Sequence, residues 1–296
     1  MNSPDKEAIL HIAHSFLLDA VGVMSCPISP LLLEKLSSSG PVPFVPDDMH
    51  RRISPESLLP ETKSIIVILF PYGYKSENSA NIALYARTKD YHKIVHTYLE
   101  NIIEKLKKIY KKEDFYAIAD TSPLADRWLA YQAGLGFFGK NHCLIHPVYG
   151  SYFTIGSILT TLSLPPDKPL TASCGDCMRC IDVCPGKCLT PGRFNPWQCK
   201  SYLTQKKQTL TPAEEEIIKK TPLIFGCDEC QKYCPFNEKA KDSPLPEIKQ
   251  DRISTLTKEE LASLSNRGFL KKYREYAFSW RGKPVLLRNL DIIEKK

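Results

Sequence analysis

The stretch Cys174-Gly-Asp-Cys-Met-Arg-Cys-Ile-Asp-Val-Cys-Pro185 determines how the second half of this chain folds. Its cysteines are spaced C-x2-C-x2-C-x3-C and are followed by proline. A second run, Cys227-Asp-Glu-Cys-Gln-Lys-Tyr-Cys-Pro235, has the spacing C-x2-C-x3-C before its proline. Cys199 lies between the two runs and can act as the missing first member of the second run. Thiolates at this spacing can reach one shared group from a tight loop, while a fourth ligand must come from elsewhere in the chain.

The cysteine–proline pair that ends each run is typical of bacterial ferredoxins that carry two [4Fe–4S] clusters. In those proteins the cysteine before proline ligates the other cluster, so the two ligand sets are crossed. The spacing therefore predicts one set made of Cys174, Cys177, Cys180 and Cys234. It predicts a second set made of Cys184, Cys199, Cys227 and Cys230. Zinc ligation and disulfides are the alternatives for these residues.

Three cysteines remain after this assignment, and they are Cys26, Cys143 and Cys188. We expect buried free thiols at all three positions, because cysteine without a ligand role behaves as a small hydrophobic residue. Cys188 lies close to the first run, so an exchange of ligands between Cys188 and that run stays open.

Composition is that of an ordinary globular protein, with 296 residues, 43% hydrophobic and 25% charged. Most of the eleven cysteines have metal-ligand spacing, which indicates a reducing compartment rather than a disulfide scaffold. The first residues contain acids and histidines but no apolar segment or twin arginine, so we expect neither a signal peptide nor a membrane span. We therefore expect a cytoplasmic protein without membrane attachment, and we also expect a monomer.

The chain divides into three regions, 1–165, 166–245 and 246–296. The first alternates apolar runs such as 64–70, which reads as a buried strand, with amphipathic helical patterns such as 94–109. This alternation predicts an α+β (α/β-like) sheet domain. The second region is the ferredoxin-like dicluster domain. The third is a short helical segment whose expected core is Leu256, Leu261, Leu264, Phe269 and Leu270.

Basic residues are concentrated between positions 267 and 288, within a chain of formal net charge +7. Aromatic residues are interleaved with them. This pattern favours either a phosphate-binding face or a solvated helical surface over an aromatic core, and the sequence alone leaves both open.

Several motifs resemble the epoxyqueuosine reductase family, in the order and approximate spacing of that family from about residue 47 to 290. They are Tyr85-Ala-Arg-Thr-Lys-Asp-Tyr-His92, Asp120-Thr-Ser-Pro123, Asp126-Arg127, Ala133-Gly-Leu-Gly-Phe-Phe-Gly-Lys-Asn141, Cys199-Lys-Ser-Tyr-Leu-Thr204, Phe225-Gly-Cys-Asp-Glu-Cys-Gln231 and Trp280-Arg-Gly-Lys-Pro-Val-Leu-Leu-Arg-Asn-Leu290.

The resemblance implies a cobalamin enzyme that reduces the epoxide of epoxyqueuosine to the alkene of queuosine at the wobble position of tRNA. It further implies that the N-terminal sheet domain holds the corrin and that two [4Fe–4S] clusters deliver electrons to cobalt from an external donor of the flavodoxin or ferredoxin type. Family members often continue into further HEAT-like helices, whereas this sequence stops at Lys296. We therefore expect the tRNA contact to rely on residues 267–288 and on the faces around the cofactor.

Asp120 matches the family's general acid in its D-[ST]-x-P motif. Opening an epoxide and losing water requires a proton on the departing oxygen, which a carboxylic acid can supply if its pKa is raised. The alternative for an Asp between a strand and a helix is a helix N-cap. With the resemblance, the acid is the favoured interpretation.

The resemblance also implies that Arg52, Asp120, Arg127, Ser201 and Asp228 lie near the corrin. Arg127 could instead form a salt bridge, and Asp228 could be a turn residue that binds backbone N–H groups. His92, His142 and His146 are expected to be hydrogen-bonding residues rather than cobalt ligands.

Gly134, Gly136 and Gly139 have the spacing G-x-G-x-x-G but follow a helical pattern. A dinucleotide fingerprint must follow a strand and open a helix, so nicotinamide binding is not expected. Two other functions compete with the family's reaction. One is a reductive dehalogenase-like cobalamin enzyme, and the other is a non-catalytic dicluster electron carrier.

Overall fold

The computed structural model describes residues 3–45, 48–74 and 80–295. Its strands are β1 (Val21–Ser25), β2 (Ser64–Pro71), β3 (Phe115–Ile118), β4 (Phe137–Phe138), β5 (Leu144–Ile145), β6 (Phe153–Thr160), β7 (Leu189–Thr190) and β8 (Arg193–Phe194). Its helices are α1 (Pro4–His14), α2 (Pro30–Ser39), α3 (Tyr91–Ile109), α4 (Asp126–Gln132), α5 (Arg179–Asp182), α6 (Lys200–Leu203), α7 (Pro212–Lys219), α8 (Glu229–Lys232), α9 (Pro235–Glu238), α10 (Lys258–Ser263), α11 (Asn266–Tyr273) and α12 (Lys283–Glu294).

The first region is built on a four-stranded sheet in the order β1-β2-β6-β3. Every neighbouring pair is antiparallel. The antiparallel pairing, with helices packed on the sheet, confirms the α+β class. Among the described residues, no helix is long and apolar enough to span a bilayer.

Strand β2 is buried along its whole length because both of its faces are covered. Successive side chains of a strand point to opposite faces. Accordingly, Ile66, Ile68 and Phe70 pack with α1 and α3 on one face. Ile65, Val67 and Leu69 pack with α2 and α4 on the other. The apolar run predicted as a buried strand is therefore the centre of the sheet domain.

The cysteine region consists of short helices and loops, with β7 and β8 as its small hairpin. It attaches to the sheet domain through a parallel bridge between Ile82 and Phe225. A buried polar network strengthens this contact: the Asn237 side chain accepts a hydrogen bond from the Ser151 N–H at 2.7 Å, and Gln231 Nε2 donates to the Ser151 carbonyl at 2.8 Å.

The C-terminal helices pack onto both earlier regions. Leu256, Leu261 and Phe269 share a core with Ile82 and Phe225. The expectation that Leu270 belongs to this core is wrong, since its side chain is 50% exposed. Its neighbours at helical spacing explain why, because Phe269 and Tyr273 form the buried stripe of α11 and place the position between them outward.

Candidate active site between the sheet and the cysteine region

Asp120 lies two residues after the end of β3, in the left-handed region at φ 53°. Its backbone N–H donates to the carboxylate of Asp126, which helps to hold this unusual conformation. Asp120 does not cap the following helix, because α4 begins after Ala125 and has no side-chain cap. The N-cap alternative is therefore wrong, and the side chain is directed elsewhere.

The Asp120 carboxylate is held by two side chains from the start of α3. Its Oδ2 accepts a hydrogen bond from the Tyr91 hydroxyl at 2.7 Å and lies 2.9 Å from His92 Nε2. The other ring nitrogen of His92, Nδ1, lies 2.6 Å from Asp90 Oδ1. The Tyr91 and His92 rings are stacked at 4.1 Å. Asp90, the N-cap of α3, thus orients the imidazole against Asp120.

This arrangement places the proton on His92 rather than on Asp120. The hydrogen bond from His92 lowers the pKa of Asp120 more than burial raises it, and Tyr91 adds to the lowering. The sequence argument required a raised pKa for Asp120, so the structure shows the opposite direction. Burial opposes the charged form of His92, but its bonds to Asp120 and Asp90 prevail and raise its pKa to about 9.

Arg52, Asp126 and Arg127 form a charged group beside Asp120. Burial raises the pKa of Asp126 to about 7, and the charge of Asp120 adds to this rise while Arg127 and Arg52 oppose it. Arg127 donates to the carbonyl oxygen of His142. Within the described part of the chain, Arg52 Nε and Asp126 Oδ1 are buried without a hydrogen-bond partner. Both atoms are therefore available to an additional polar group.

Asp228 joins the cysteine region to the segment before α3. Its Oδ2 accepts a hydrogen bond from the Leu84 N–H at 2.6 Å. Its Oδ1 is buried and has no partner among residues 3–45, 48–74 and 80–295. Burial raises the pKa of Asp228 to about 6 against the effect of the Leu84 bond. Burial and the charges of both Asp228 and Asp120 raise the pKa of the Tyr85 hydroxyl.

Ser201 makes its hydrogen bonds through its backbone. Its backbone N–H donates to the Cys199 sulfur, and its carbonyl oxygen accepts from the Gln205 side chain at 2.8 Å. The structure thus brings Asp120, Arg52, Arg127 and Asp228 into one electrostatic neighbourhood, whereas Ser201 acts through its backbone next to a candidate cluster ligand.

Four of the eight candidate cluster ligands line one cavity. They are Cys174, Cys177, Cys180 and Cys234, the members of the first crossed set. The charges of the other three act on Cys180 and, after burial, raise its pKa to about 11. Four thiols from two separate runs that face one cavity match the number and type of ligands of a [4Fe–4S] cluster.

The second set gathers around Cys199. Cys184, Cys199 and Cys230 belong to one apolar cluster, and the charge of Cys199 acts on Cys227. Cys188 lies in the same cluster, with its sulfur 3.3 Å from that of Cys184. The proximity keeps open the exchange of ligands anticipated from its sequence position.

All eleven cysteines lie in the described part of the chain, and all are free thiols, so the disulfide alternative is wrong. Among the described residues, no three Cys, His, Asp or Glu side chains are arranged to hold a single metal ion.

Tyr91 is the site residue that sequence reasoning missed, although Asp-Tyr-His at a helix start offered a signal. His92 is a hydrogen-bonding residue, as expected, but its partner Asp120 was not foreseen. Their contacts with Asp120 span 28 residues for His92 and 29 for Tyr91, and they depend on α3 packing beside β3. Neighbouring residue types alone cannot show such a contact.

The basic stretch 267–288 is only partly available to a ligand. Lys272 pairs with Glu260 at 2.6 Å, and Arg288 donates to the Lys206 carbonyl at 2.7 Å. Lys272 pairs at the surface, which agrees with the solvated-surface alternative, whereas Arg288 is half-buried against backbone carbonyls.

A family model described as a 4Fe-4S double cluster binding domain matches residues 173–237, which decides between iron–sulfur clusters and zinc. With a sheet domain and a carboxylate site beside these cysteines, the chain is an iron–sulfur protein of the oxidoreductase class. A second model, described as Epoxyqueuosine reductase QueG, DUF1730, matches residues 52–121.

The chain belongs to the epoxyqueuosine reductase family. It is 33% identical to the epoxyqueuosine reductase of Lactococcus garvieae over 301 residues, covering 96% of this chain and 85% of that relative. This membership excludes a non-catalytic electron carrier as the class of protein.

Solved structures of the family have the same fold. A crystal structure of epoxyqueuosine reductase with an epoxyqueuosine-modified tRNA-Tyr stem loop matches with a TM-score of 0.89 and 30% identity, over 97% of this chain and 80% of that one. A Bacillus subtilis structure matches with a TM-score of 0.87 and 31% identity, over the same shares of the two chains. In that protein the catalytic aspartate loop is swung out of the active site.

Proposed function

We propose that this protein reduces the epoxide of epoxyqueuosine in tRNA to the alkene of queuosine. Family membership and the relative solved with a modified tRNA stem loop support the substrate. The observation that carries the proposal is Asp120, held by Tyr91 and His92 where the sheet domain meets the cysteine region. Overall, the reaction takes up two electrons and two protons and releases the oxygen as water.

The donor chemistry fits two [4Fe–4S] clusters. We assign Cys174, Cys177, Cys180 and Cys234 to one and Cys184, Cys199, Cys227 and Cys230 to the other. The cavity shared by the first four thiols supports the crossed assignment. Thiolate is the usual ligand of such clusters. We further propose an external donor of the flavodoxin or ferredoxin type as the source of electrons.

Cobalamin fits the charged group around Asp120. The corrin rim carries amide side chains, which donate and accept hydrogen bonds. Asp228 Oδ1 and Asp126 Oδ1 are buried acceptors, and Arg52 Nε is a buried donor, without partners among the described residues. We propose that Arg52, Arg127 and Asp228 contact the corrin amides. Ser201 would lie next to the corrin and contribute its backbone. When bound, the cofactor would supply low-potential electrons to the epoxide.

The lowered pKa of Asp120 changes how this residue serves as the acid. At neutral pH the proton resides on His92, whose pKa of about 9 keeps the imidazole charged. We propose that His92 supplies a proton to Asp120, which passes it to the epoxide oxygen. The observed pairing of Asp120 with His92 would be the resting position, and the swung-out loop of the Bacillus subtilis relative supports a mobile acid.

A tRNA substrate also supports a cytoplasmic location, and we propose a monomer as the working form. In this form the chain would bind tRNA through the faces around Asp120.

The test is anaerobic turnover of tRNA that contains epoxyqueuosine, followed by nucleoside analysis. The protein carries reconstituted clusters and cobalamin, and a chemical reductant supplies electrons. We expect queuosine from the parent and at least a roughly hundred-fold lower rate from Asp120→Asn, since general acid catalysis contributes about 10²–10⁴-fold. Asp176→Asn, at an exposed carboxylate, is the matched control and should turn over like the parent.

Retention of the parental rate in Asp120→Asn, with cobalamin and tRNA bound, would remove the acid role. Absence of queuosine from the fully loaded parent would remove the proposed reaction itself.

A further inference from the structure

Four aromatic side chains form an exposed patch beside the second set of cysteines. The aromatic patch consists of Phe44, Trp197, Tyr202 and Trp280. The Phe44 ring lies 5.4 Å from both the Tyr202 and the Trp280 ring, and Trp197 lies 5.3 Å from Tyr202. Phe44 is 52% exposed, Trp280 50% and Trp197 46%. Three large aromatic rings that are each about half exposed to solvent indicate an interaction surface rather than a core.

Arg281 gives the patch a positive charge. Its guanidinium lies 3.5 Å from the Trp280 ring centroid and 4.6 Å from that of Phe44. Its Nε is buried and has no hydrogen-bond partner within residues 3–45, 48–74 and 80–295. Burial lowers the pKa of Arg281, although the group remains a cation in proteins. The patch therefore combines flat apolar faces with a cation that can still donate a hydrogen bond to an anionic partner.

The aromatic patch connects to the candidate active site through two hydrogen bonds. Trp280 Nε1 donates to Gln205 Oε1 at 2.9 Å, and the buried Gln205 side chain also hydrogen-bonds the Tyr85 hydroxyl. The Tyr85 ring lies 6.3 Å from that of Tyr91, which donates to Asp120. A ligand that reaches Asp120 could thus extend onto the patch within a few side-chain lengths.

We propose that the aromatic patch stacks unpaired bases of the tRNA loop next to the modified nucleotide, with Arg281 contacting a phosphate. This inference rests on the proposed tRNA substrate and adds a binding surface to it. Bases offer π-faces that stack on aromatic rings and on guanidinium planes, as in single-stranded RNA recognition. An apolar protein partner would match the rings but would leave the arginine charge unused.

The test measures the affinity of a fluorescently labelled anticodon stem loop for the fully loaded protein. Stacking on one aromatic side chain contributes about 1–3 kcal/mol per base. We therefore expect Phe44→Ala and Trp280→Ala each to weaken binding by roughly ten-fold, with kcat/KM falling by the same factor. Trp280→Phe keeps one aromatic ring for stacking but loses the bond to Gln205, so it should bind more tightly than Trp280→Ala.

Salt dependence separates stacking from charge. The slope of log affinity against log salt reports phosphate contacts. It should stay parental in Phe44→Ala and become shallower in Arg281→Gln. Tyr116→Ala removes an aromatic side chain that is 45% exposed on β3, outside the patch, and serves as the matched control with parental affinity. Iron content and circular dichroism of each variant show that it is folded.

Parental affinity in both folded alanine variants would overturn the patch proposal while leaving the reductase activity intact. Failure of the parent to bind the stem loop or to form queuosine would instead refute the proposed function. Equal losses in Tyr116→Ala and Phe44→Ala would show a nonspecific effect and would also overturn the patch.

Discussion

Replacing Asp228 by Asn tests whether this residue holds the corrin. Asp228 Oδ2 accepts the Leu84 N–H at 2.6 Å, and Asn retains one carbonyl oxygen for that bond. The second oxygen, buried and without a partner among the described residues, becomes an NH₂ group. A corrin amide N–H that had bonded to Oδ1 would then face a donor. The substitution removes one cofactor contact and keeps the side-chain shape.

The expected loss follows from the strength of a hydrogen bond to a charged acceptor, about 1.5–3 kcal/mol. Such a loss weakens cobalamin binding by roughly ten- to hundred-fold. The assay is an anaerobic titration with cobalamin, followed by visible absorption at constant cluster content. Both the fitted Kd and the iron content are needed, because Asp228 neighbours Cys227.

Asp176→Asn provides the matched control. Asp176 lies in the first C-x2-C loop, as Asp228 lies in the second, but its side chain is exposed. We expect Asp176→Asn to have the parental Kd. The reasoning is refuted if Asp228→Asn retains full iron content and binds cobalamin as tightly as the parent.

Three further perturbations test other parts of the site. His92→Gln removes the group that holds the proton with a pKa of about 9, so the high-pH decline of kcat should move to lower pH, toward the pKa of the remaining acid Asp120; an unchanged kcat profile would contradict the pairing. Cys174→Ser and Cys234→Ser should each lower the iron content from about eight to about four per chain, and so should the double variant if both ligate one cluster. A double variant without iron would contradict the crossed assignment. Gly226→Ala should lower the melting temperature measured by circular dichroism, because φ is +73° and an added Cβ would lie 2.4 Å from a facing side-chain carbon. An unchanged melting temperature would show that the facing segments can separate without cost.

Local patterns in the sequence were sufficient to predict the centre of the sheet and the cluster region. Within the run at 64–70, residues 65–70 are all apolar. Both faces of the strand are therefore apolar, and its burial follows from composition. Cysteine spacing indicated the cluster domain because ligands of one cluster crowd into short loops. In both cases the decisive neighbours are close in sequence.

The polar contacts of the site required the tertiary structure. The predicted acid role of Asp120 came from a motif, but its pKa depends on His92, which belongs to another element. The exposed position of Leu270 likewise depends on which face of α11 meets the segment near Ile82. Sequence periodicity shows which residues share one face of a helix, but it does not identify the surface that covers this face.

Residues 81–92 connect the three regions through backbone hydrogen bonds. Asn81 donates its N–H to the Ser254 carbonyl at 2.9 Å, and Ala83 donates to that of Phe225 at the same distance. The Asp90 N–H donates to the Glu275 carbonyl at 2.6 Å.

Asp90 also orients His92 through its carboxylate, so the C-terminal region fixes the backbone of a residue that controls the proton on His92. A change in how the C-terminal helices dock would therefore reach Asp120 through three hydrogen bonds, Glu275 to Asp90, Asp90 to His92 and His92 to Asp120, rather than through the sheet. For this reason we regard the C-terminal helices as part of the architecture of the active site, beyond any role in contacting tRNA.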